Sequence, residues 1–178
     1  MKPPYVEEMT DSILTRRHAL FGAAAAGVLA ATGSALACTA SGAPRTPAKT
    51  FEVNHTDDEW RHLLTPQQYA VLRNASTEAP YSSPLNDEHR PGTFDCAGCA
   101  QALFSSTTKF DSGTGWPSFY RALDNAVLEE QDNSEGMSRT EVLCNRCGGH
   151  LGHVFNDGPP PTGLRYCMNG VAMGFRPA

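Results

Sequence analysis

Apolar residues recur in short clusters along the second half of the chain, and Gly, Pro, Asn and Asp separate these clusters. Runs of this length and spacing predict short strands joined by turns. The proline-containing stretch 74–93 is predicted to be a loop, and the polar stretch 129–138 a hairpin tip or surface loop. The predicted strands, mostly antiparallel in a mainly β domain, include residues 102–104, 116–120, 126–128, 140–143, 151–155 and 164–168.

Two short helices are predicted before the strands. Thr56 and Glu59 have the spacing of a capping box, which predicts a helix from this point through Leu64. Thr65 followed by Pro66 predicts a second helix, with proline at its first position. The helix residues expected to face the core are Trp60, Tyr69 and Leu72.

The first 37 residues have the pattern of an export signal. Arg16 and Arg17 precede an uncharged run rich in Ala and Gly, which is typical of a twin-arginine signal, and residues 35–37 supply small side chains for cleavage. An uncleaved membrane anchor is an alternative, although the run is only weakly hydrophobic. Cys38 follows the predicted cleavage site directly, so lipid attachment to Cys38 is a second alternative.

Composition predicts a single domain after this segment. Removal of residues 1–37 leaves enough chain for one hydrophobic core. The removed segment is neutral, so the remainder keeps the net charge of −5, which gives no electrostatic footprint for nucleic acid. The predicted organisation is a signal peptide (1–37), a flexible linker (38–55) and one domain (56–178), exported to the periplasm or the cell envelope.

Four cysteines form two C-x-x-C pairs that suit a metal. Cys96 and Cys99 form the first pair, Cys144 and Cys147 the second, with 44 residues between the pairs. Four thiolates suit tetrahedral Zn²⁺, and a closed shell of four is a structural site. The long gap predicts that zinc joins distant parts of one domain. Haem attachment and a thioredoxin-like pair fit less well, and two disulfides are an alternative in an exported protein.

Cys167 is a candidate nucleophile. In a strand, Arg165, Cys167 and Asn169 share one face. A thiol beside a fixed positive charge is expected to have a lowered pKa, and the thiolate is the reactive form. A buried structural cysteine beside a surface arginine is the alternative.

Two other segments carry candidate chemistry. Trp116 lies in a glycine-rich turn before a proline, where its indole can wall a small apolar pocket or simply fill the core. His150 and His153, separated by three positions with a glycine between them, can face one side of a turn and exchange protons near neutral pH. A structural role or zinc binding is the alternative for either histidine.

Together these motifs, in this order, resemble the B-type methionine-R-sulfoxide reductases. The resemblance covers roughly residues 56–176 and includes both C-x-x-C pairs. The longer stretches that carry it are Phe110-Asp111-Ser112-Gly113-Thr114-Gly115-Trp116-Pro117-Ser118-Phe119, His150-Leu151-Gly152-His153-Val154-Phe155-Asn156-Asp157-Gly158-Pro159 and Gly163-Leu164-Arg165-Tyr166-Cys167-Met168-Asn169.

The resemblance implies a fold, an activity and a set of site residues. The implied fold has two antiparallel β-sheets and a structural zinc remote from the active site. The implied reaction is thiol-dependent reduction of the R epimer of methionine sulfoxide in proteins or peptides, through a cysteine sulfenic acid. Thioredoxin-like or other thiols are the expected reductants of a monomeric enzyme. Cys167, His153, His150, Arg165 and Asn169 match catalytic positions, and Trp116 and Phe155 match substrate-binding positions.

The chain departs from the family pattern at two positions. Thr114 stands where many members have a resolving cysteine, and Gly170 where serine is usual. Cys38 is the only other cysteine left for an internal disulfide. A zinc-containing binding module without catalysis and a thiol peroxidase are the rival functions, and neither requires the tryptophan wall.

Overall fold

The computed structural model describes residues 49–178. The predicted signal peptide, Cys38 and most of the predicted linker lie outside the described residues. Within residues 49–178, no helix has both the length and the apolar character needed to cross a membrane.

Two short helices open the described chain, as the capping patterns predict. Helix α1 spans Asp57–Leu63 and helix α2 spans Pro66–Asn74. Thr56 and Thr65 each accept a hydrogen bond from the backbone three residues ahead, and Glu59 and Gln68 return one, so both helices begin with a complete capping box. Their buried residues include the predicted Trp60, Tyr69 and Leu72.

Residues 49–178 form nine strands in two antiparallel sheets, which confirms the predicted fold class. The smaller sheet has the order β2-β1-β9 and the larger sheet the order β3-β4-β8-β7-β6-β5. The strands are β1 (Gly92–Cys96), β2 (Ala102–Ser105), β3 (Lys109–Phe110), β4 (Ser118–Phe119), β5 (Val127–Asp132), β6 (Arg139–Cys144), β7 (His150–Phe155), β8 (Arg165–Met168) and β9 (Met173–Pro177).

The structure corrects the predicted loops in two places. The predicted loop 74–93 contains a 3₁₀ turn at Pro84–Asp87 and ends where β1 begins. The predicted loop 129–138 is wrong in its first half, because residues up to Asp132 continue β5 and pair with β6. Glu129, Glu130 and Gln131 are exposed, which suits β5 as an edge strand.

Aromatic side chains join the two sheets. Phe94 of β1 lies edge-on to Phe119 of β4, with ring centroids 4.9 Å apart, and Phe104 of β2 stacks on Phe119 at 4.4 Å. All three are fully buried. This packing fixes β4, and therefore its neighbour β8, against the smaller sheet.

Candidate active site and metal centre

One face of the larger sheet brings the candidate catalytic residues together. Antiparallel register places Ser118 of β4 beside Cys167 of β8, Cys167 beside His153 of β7, and His153 beside Glu141 of β6. Paired residues in neighbouring strands point to the same side of a sheet. The sheet therefore presents a thiol, an imidazole and a carboxylate in one row.

A bulge in β7 puts both histidines on this face. The pairing of β6 with β7 shifts between Val142 and Leu143, so that Leu143 is opposite His150 while Val142 is opposite Gly152. Without this extra residue, strand alternation would send His150 and His153 to opposite faces. Their ring centroids are 5.4 Å apart.

Each histidine of β7 is held by a carboxylate of the same sheet, from the adjacent β6 for His150 and from β5, one strand further, for His153. Nδ1 of His150 is 2.6 Å from Glu141 Oε1, and Nε2 of His153 is 2.9 Å from Asp132 Oδ2. Arg139 donates to the same oxygen of Asp132 at 2.7 Å. Hydrogen bonds from the Ser134 side chain and backbone, followed by the bond with His153, hold the pKa of Asp132 well below its usual range. Sequence reasoning missed Asp132 because this residue lay in the predicted loop, and it missed Glu141 because the contact with His150 depends on the β7 bulge.

Gly152 allows β7 and β8 to approach closely beside the thiol. A Cβ atom at residue 152 would lie 2.2 Å from the backbone oxygen of Cys167 and 3.0 Å from Met168 Cα. Backbone atoms in a paired strand have little room to move away. Glycine is therefore required here for the His153–Cys167 register.

The expected low pKa of Cys167 is wrong. Burial raises the pKa of this thiol, and a hydrogen bond from Thr114 and the charge of Arg165 oppose the rise without cancelling it. Arg165 forms an ion pair with Asp157, donating twice to its carboxylate at 2.8 Å, and it lies over the Phe155 ring at 4.4 Å. Its positive charge is shared with Asp157, so it acts less on the sulfur than adjacency in sequence suggested.

The thiol opens into a small cavity of about 180 Å³. Trp116 forms one wall and is half-buried, which excludes the alternative of a purely core tryptophan. Its indole N–H donates to the Glu78 carbonyl at 3.2 Å, which fixes the ring. His150 and Arg165 lie outside the lining, and Thr77 and Arg139 are lining residues that the sequence did not reveal. The cavity is lined by Thr77, Trp116, Arg139, Gly152, His153, Phe155, Cys167 and Asn169.

Asn169 has a positioning role that the sequence did not indicate. Its amide oxygen accepts from the Glu78 backbone at 2.9 Å and its amide nitrogen donates to the Leu151 carbonyl at 3.1 Å. The Glu78 carboxylate in turn accepts from the backbone of Gly170 and Val171. These bonds tie the turn after β8 to the segment that holds Trp116.

The four predicted metal ligands meet in one cluster. Their sulfur atoms all lie within 4.8 Å of one another. The Cys96–Cys147 and Cys99–Cys144 sulfurs are 3.7 and 3.5 Å apart. A zinc tetrahedron with bonds of about 2.3 Å places its sulfurs about 3.8 Å apart, whereas a disulfide requires about 2.05 Å. All four are free thiols, so the cluster fits structural zinc and not two disulfides.

The metal joins the two sheets away from the thiol cavity. Cys96 ends β1 of the smaller sheet and Cys144 ends β6 of the larger one, and each pair is completed in the turn that follows. None of the four cysteines lines the cavity of Cys167. Hydrogen bonds that the Cys96 S–H donates to the other three sulfurs, Cys144 first, raise the pKa of Cys96, so a cation is needed to hold all four as thiolates.

This fold and this site define a zinc-containing thiol enzyme of mainly β structure. Residues 64–177 match the SelR domain family. The chain is 53% identical to the peptide methionine sulfoxide reductase MsrB of Leptospira interrogans over 127 residues, which are 71% of this chain and 97% of the relative. The chain belongs to the SelR (MsrB) family, and the resemblance in its motifs is confirmed.

Two further relatives support the same family membership. The MsrB of Thiobacillus denitrificans is 56% identical over 68% of this chain and 93% of the relative. The MsrB of Bradyrhizobium diazoefficiens is also 56% identical, over 71% of this chain and 91% of the relative. The matches cover nearly the full length of these relatives, and the family match over residues 64–177 includes the motifs that form the site.

Proposed function

We propose that this protein reduces the R epimer of methionine sulfoxide in proteins and peptides to methionine, using Cys167 as the nucleophile. The observation that carries the proposal is the placement of the Cys167 thiol in a small cavity, beside Trp116 and in register with His153. Membership of the SelR family supports the same activity. A binding module would not need this arrangement of thiol, acid and apolar wall.

The chemistry requires a nucleophile and an acid. The Cys167 thiolate attacks the sulfoxide sulfur, and the oxygen needs a proton because oxide is a poor leaving group. His153 supplies this proton, and with Nε2 bonded to Asp132 the donor is Nδ1. The sulfoxide gains two electrons and becomes methionine, while Cys167 becomes a sulfenic acid that carries the oxygen.

The apolar walls select the substrate and its epimer. Trp116 and Phe155 offer ring surfaces to the methyl group of the oxidised methionine, and neither can bond the oxygen. With the methyl group against these rings, only one configuration at sulfur directs the oxygen to His153. The cavity therefore distinguishes the R epimer from the S epimer.

The remaining predicted residues act through their neighbours. His150 is 3% exposed and bonded to Glu141, so it packs against His153 and fixes the ring that donates the proton. Arg165 favours the thiolate through its charge and a hydrogen bond, and it packs over the Phe155 ring. Asn169 holds the turn after Cys167.

External thiols complete the cycle. Two thiols, from a thioredoxin-like protein or small molecules, reduce the sulfenic acid, which releases water and one disulfide and restores the Cys167 thiol. Thr114 at the usual resolving position supports this direct route over an internal disulfide. We propose that the enzyme acts as a monomer. The zinc supplies structural stability and takes no part in the reaction.

We further propose that residues 1–37 are a twin-arginine signal, that 38–55 are a linker and that 56–178 are the catalytic domain. The supporting observations are the Arg16-Arg17 pair and the uncharged apolar run that follows it. The mature enzyme would act in the periplasm or cell envelope, and Cys38 would be its first residue, either free or lipid-modified. The mass of the N-terminal peptide of the exported protein tests cleavage and lipid attachment together.

The activity is tested with purified full-length protein, dithiothreitol and the separate R and S epimers of methionine sulfoxide in one peptide. We expect only the R epimer to be consumed, and expect Cys167→Ser to abolish turnover while keeping zinc and the fold. No turnover by zinc-loaded, folded wild-type protein would point to the binding-module function. Equal consumption by Cys167→Ser would exclude Cys167 as the nucleophile.

A further inference from the structure

A chain of three hydroxyl groups leads to the sulfur of Cys167. The Thr114 Oγ1 is 3.9 Å from the Cys167 Sγ and 2.8 Å from the Ser112 Oγ. Ser112 Oγ is in turn 2.7 Å from Ser118 Oγ, which lies 3.1 Å from the Trp116 carbonyl oxygen. Ser118 is 1% exposed, so water does not compete at that end.

Local structure holds this chain in place. Gly113 donates its backbone N–H to the Asp111 carboxylate at 2.8 Å, which closes a turn around Ser112. Gly113 and Gly115, on either side of Thr114, both have positive φ angles, which glycine adopts without strain. Strand β4 positions Ser118 directly beside Cys167. The Thr114 hydroxyl is therefore held near the sulfur by the fold and not by chance rotation.

Each hydroxyl has a single hydrogen, so the chain has only two fully connected polarities. In the first, the thiol S–H donates to Thr114, Thr114 to Ser112, Ser112 to Ser118, and Ser118 to the Trp116 carbonyl. This polarity suits the protonated sulfur. In the second, Ser118 donates to Ser112, Ser112 to Thr114, and Thr114 to the sulfur. This polarity suits a thiolate, because the last bond then points at the negative charge.

From this geometry we propose that Thr114 is a further catalytic residue, whose hydroxyl donates to the Cys167 thiolate after the Ser112–Ser118 chain reverses its polarity. Three hydroxyl rotations replace a neutral set of bonds by one that ends in a charge-assisted bond. Reversal gives up the bond to the Trp116 carbonyl. The proposal deepens the proposed function, on which its catalytic meaning rests, but the hydrogen bond itself can be measured without substrate.

The other polar and charged groups around Cys167 do not replace this bond. Arg165 on the same strand is paired with Asp157, and Arg139 on β6 is paired with Asp132 on β5. His153 on β7 is bonded to Asp132. On the β4 side, the groups that face the sulfur are the hydroxyls of Ser118 and Thr114. Among the influences that lower the pKa of Cys167, the bond from Thr114 is the largest, ahead of Arg165.

The test compares Thr114→Val with Thr114→Ser in the full-length, zinc-loaded protein. Valine keeps the shape of threonine and removes the hydroxyl, whereas serine keeps the hydroxyl. The rate of iodoacetamide alkylation of the Cys167 peptide is followed by mass spectrometry from pH 7 to 11.5. We expect the midpoint in Thr114→Val to rise by about one pH unit and that in Thr114→Ser to stay near wild type.

The chain offers a matched control in Thr107→Val. Ser105 and Thr107 form a hydroxyl pair with the same spacing and the same 2.8 Å distance as Ser112 and Thr114, but Thr107 is exposed and, unlike Thr114, makes no contact with Cys167. Its loss should leave the alkylation midpoint unchanged. Ser112→Ala, which adds no bulk, should raise the alkylation midpoint by less than Thr114→Val does. It replaces Thr114→Val as the test variant if valine disturbs the fold.

The possible outcomes distinguish the Thr114 hydrogen bond from the proposed reductase activity. An unchanged midpoint in folded Thr114→Val, or in Ser112→Ala if the valine variant loses zinc, would overturn the hydrogen bond. A raised midpoint with a fall of about tenfold in kcat/KM at pH 7 for R-sulfoxide peptide would support it. A raised midpoint in a protein that reduces no sulfoxide would keep the bond and reject the function.

Discussion

At the scale of single residues, Asp132 orients the imidazole of His153. Its carboxylate is fixed by Arg139 and by the Ser134 backbone, which donates at 2.8 Å, and it lies 2.9 Å from the imidazole. A carboxylate bonded to Nε2 fixes the ring and leaves Nδ1 as the nitrogen that can donate to the substrate. The position of one side chain thus sets the orientation of the proton donor.

Replacement of Asp132 should reduce turnover without removing the thiol. We expect Asp132→Asn to lower kcat for R-sulfoxide peptide by about 10²-fold, because the ring that donates the proton loses the carboxylate that orients it. Steady-state kinetics measure this change, and alkylation confirms that Cys167 remains reactive. Asp124→Asn, an exposed loop carboxylate in the same half of the domain, is the control. Equal kcat in Asp132→Asn and wild type would exclude the role of this carboxylate.

Residue identities in the site were more predictable than residue environments. The sequence indicated Cys167, Trp116 and His153 because their motifs are distinctive, and the structure brings all three to one cavity. The sequence did not reveal that burial affects the pKa of Cys167 more than the charge of Arg165 does. Burial depends on strands far apart in sequence, so adjacency along the chain could not predict the direction of that pKa.

At the scale of secondary structure, the β7 bulge and Gly152 determine how the site is built. The bulge turns His150 to the face of His153, and Gly152 lets β8 approach. A three-residue spacing with a glycine indicated that the histidines could share a side, but a bulge arises from pairing with β6, which a single strand does not show. The helices were predictable because their capping boxes are local.

A side chain at Gly152 should separate β7 from β8. We expect Gly152→Ala to reduce the free energy of unfolding by at least about 2 kcal/mol and to lower activity further than stability alone explains, since the new Cβ meets fixed backbone. Urea unfolding and kinetics measure both effects. Gly174→Ala in β9 is the matched control, because a Cβ there has no atom within 4 Å. Similar stability of the two variants would contradict the close approach.

At the scale of the whole molecule, zinc connects the two sheets through the ends of β1 and β6. The two C-x-x-C pairs were recognisable from spacing alone. The sequence did not show that the two pairs join different sheets. The sheet of β1 depends on its pairing with β2 and with the distant β9, a strand absent from the sequence prediction. Pairing between distant segments depends on the whole core.

Loss of one metal ligand should destabilise the entire domain. We expect Cys144→Ser to lose zinc and to unfold at a temperature lower by more than about 10 °C, because metal binding contributes directly to folding. Metal analysis and thermal unfolding by circular dichroism measure this. Cys167→Ser should retain one zinc per chain and a near wild-type melting temperature. Full zinc content and unchanged melting in Cys144→Ser would exclude the tetrathiolate site.

The pairing of β1 with β9 sets the order in which the protein can mature. Gly92 pairs with Pro177, so β1, the central strand of the smaller sheet, has only β2 as a partner until synthesis has passed residue 177. Contacts between segments so distant in sequence also make folding slow. On the proposed twin-arginine route, which carries folded proteins, the cell would have to synthesise the whole domain, load its metal and wait for β9 to dock before transport begins. Strand β9, the ninth of the described strands, would then control when the enzyme leaves the cytoplasm.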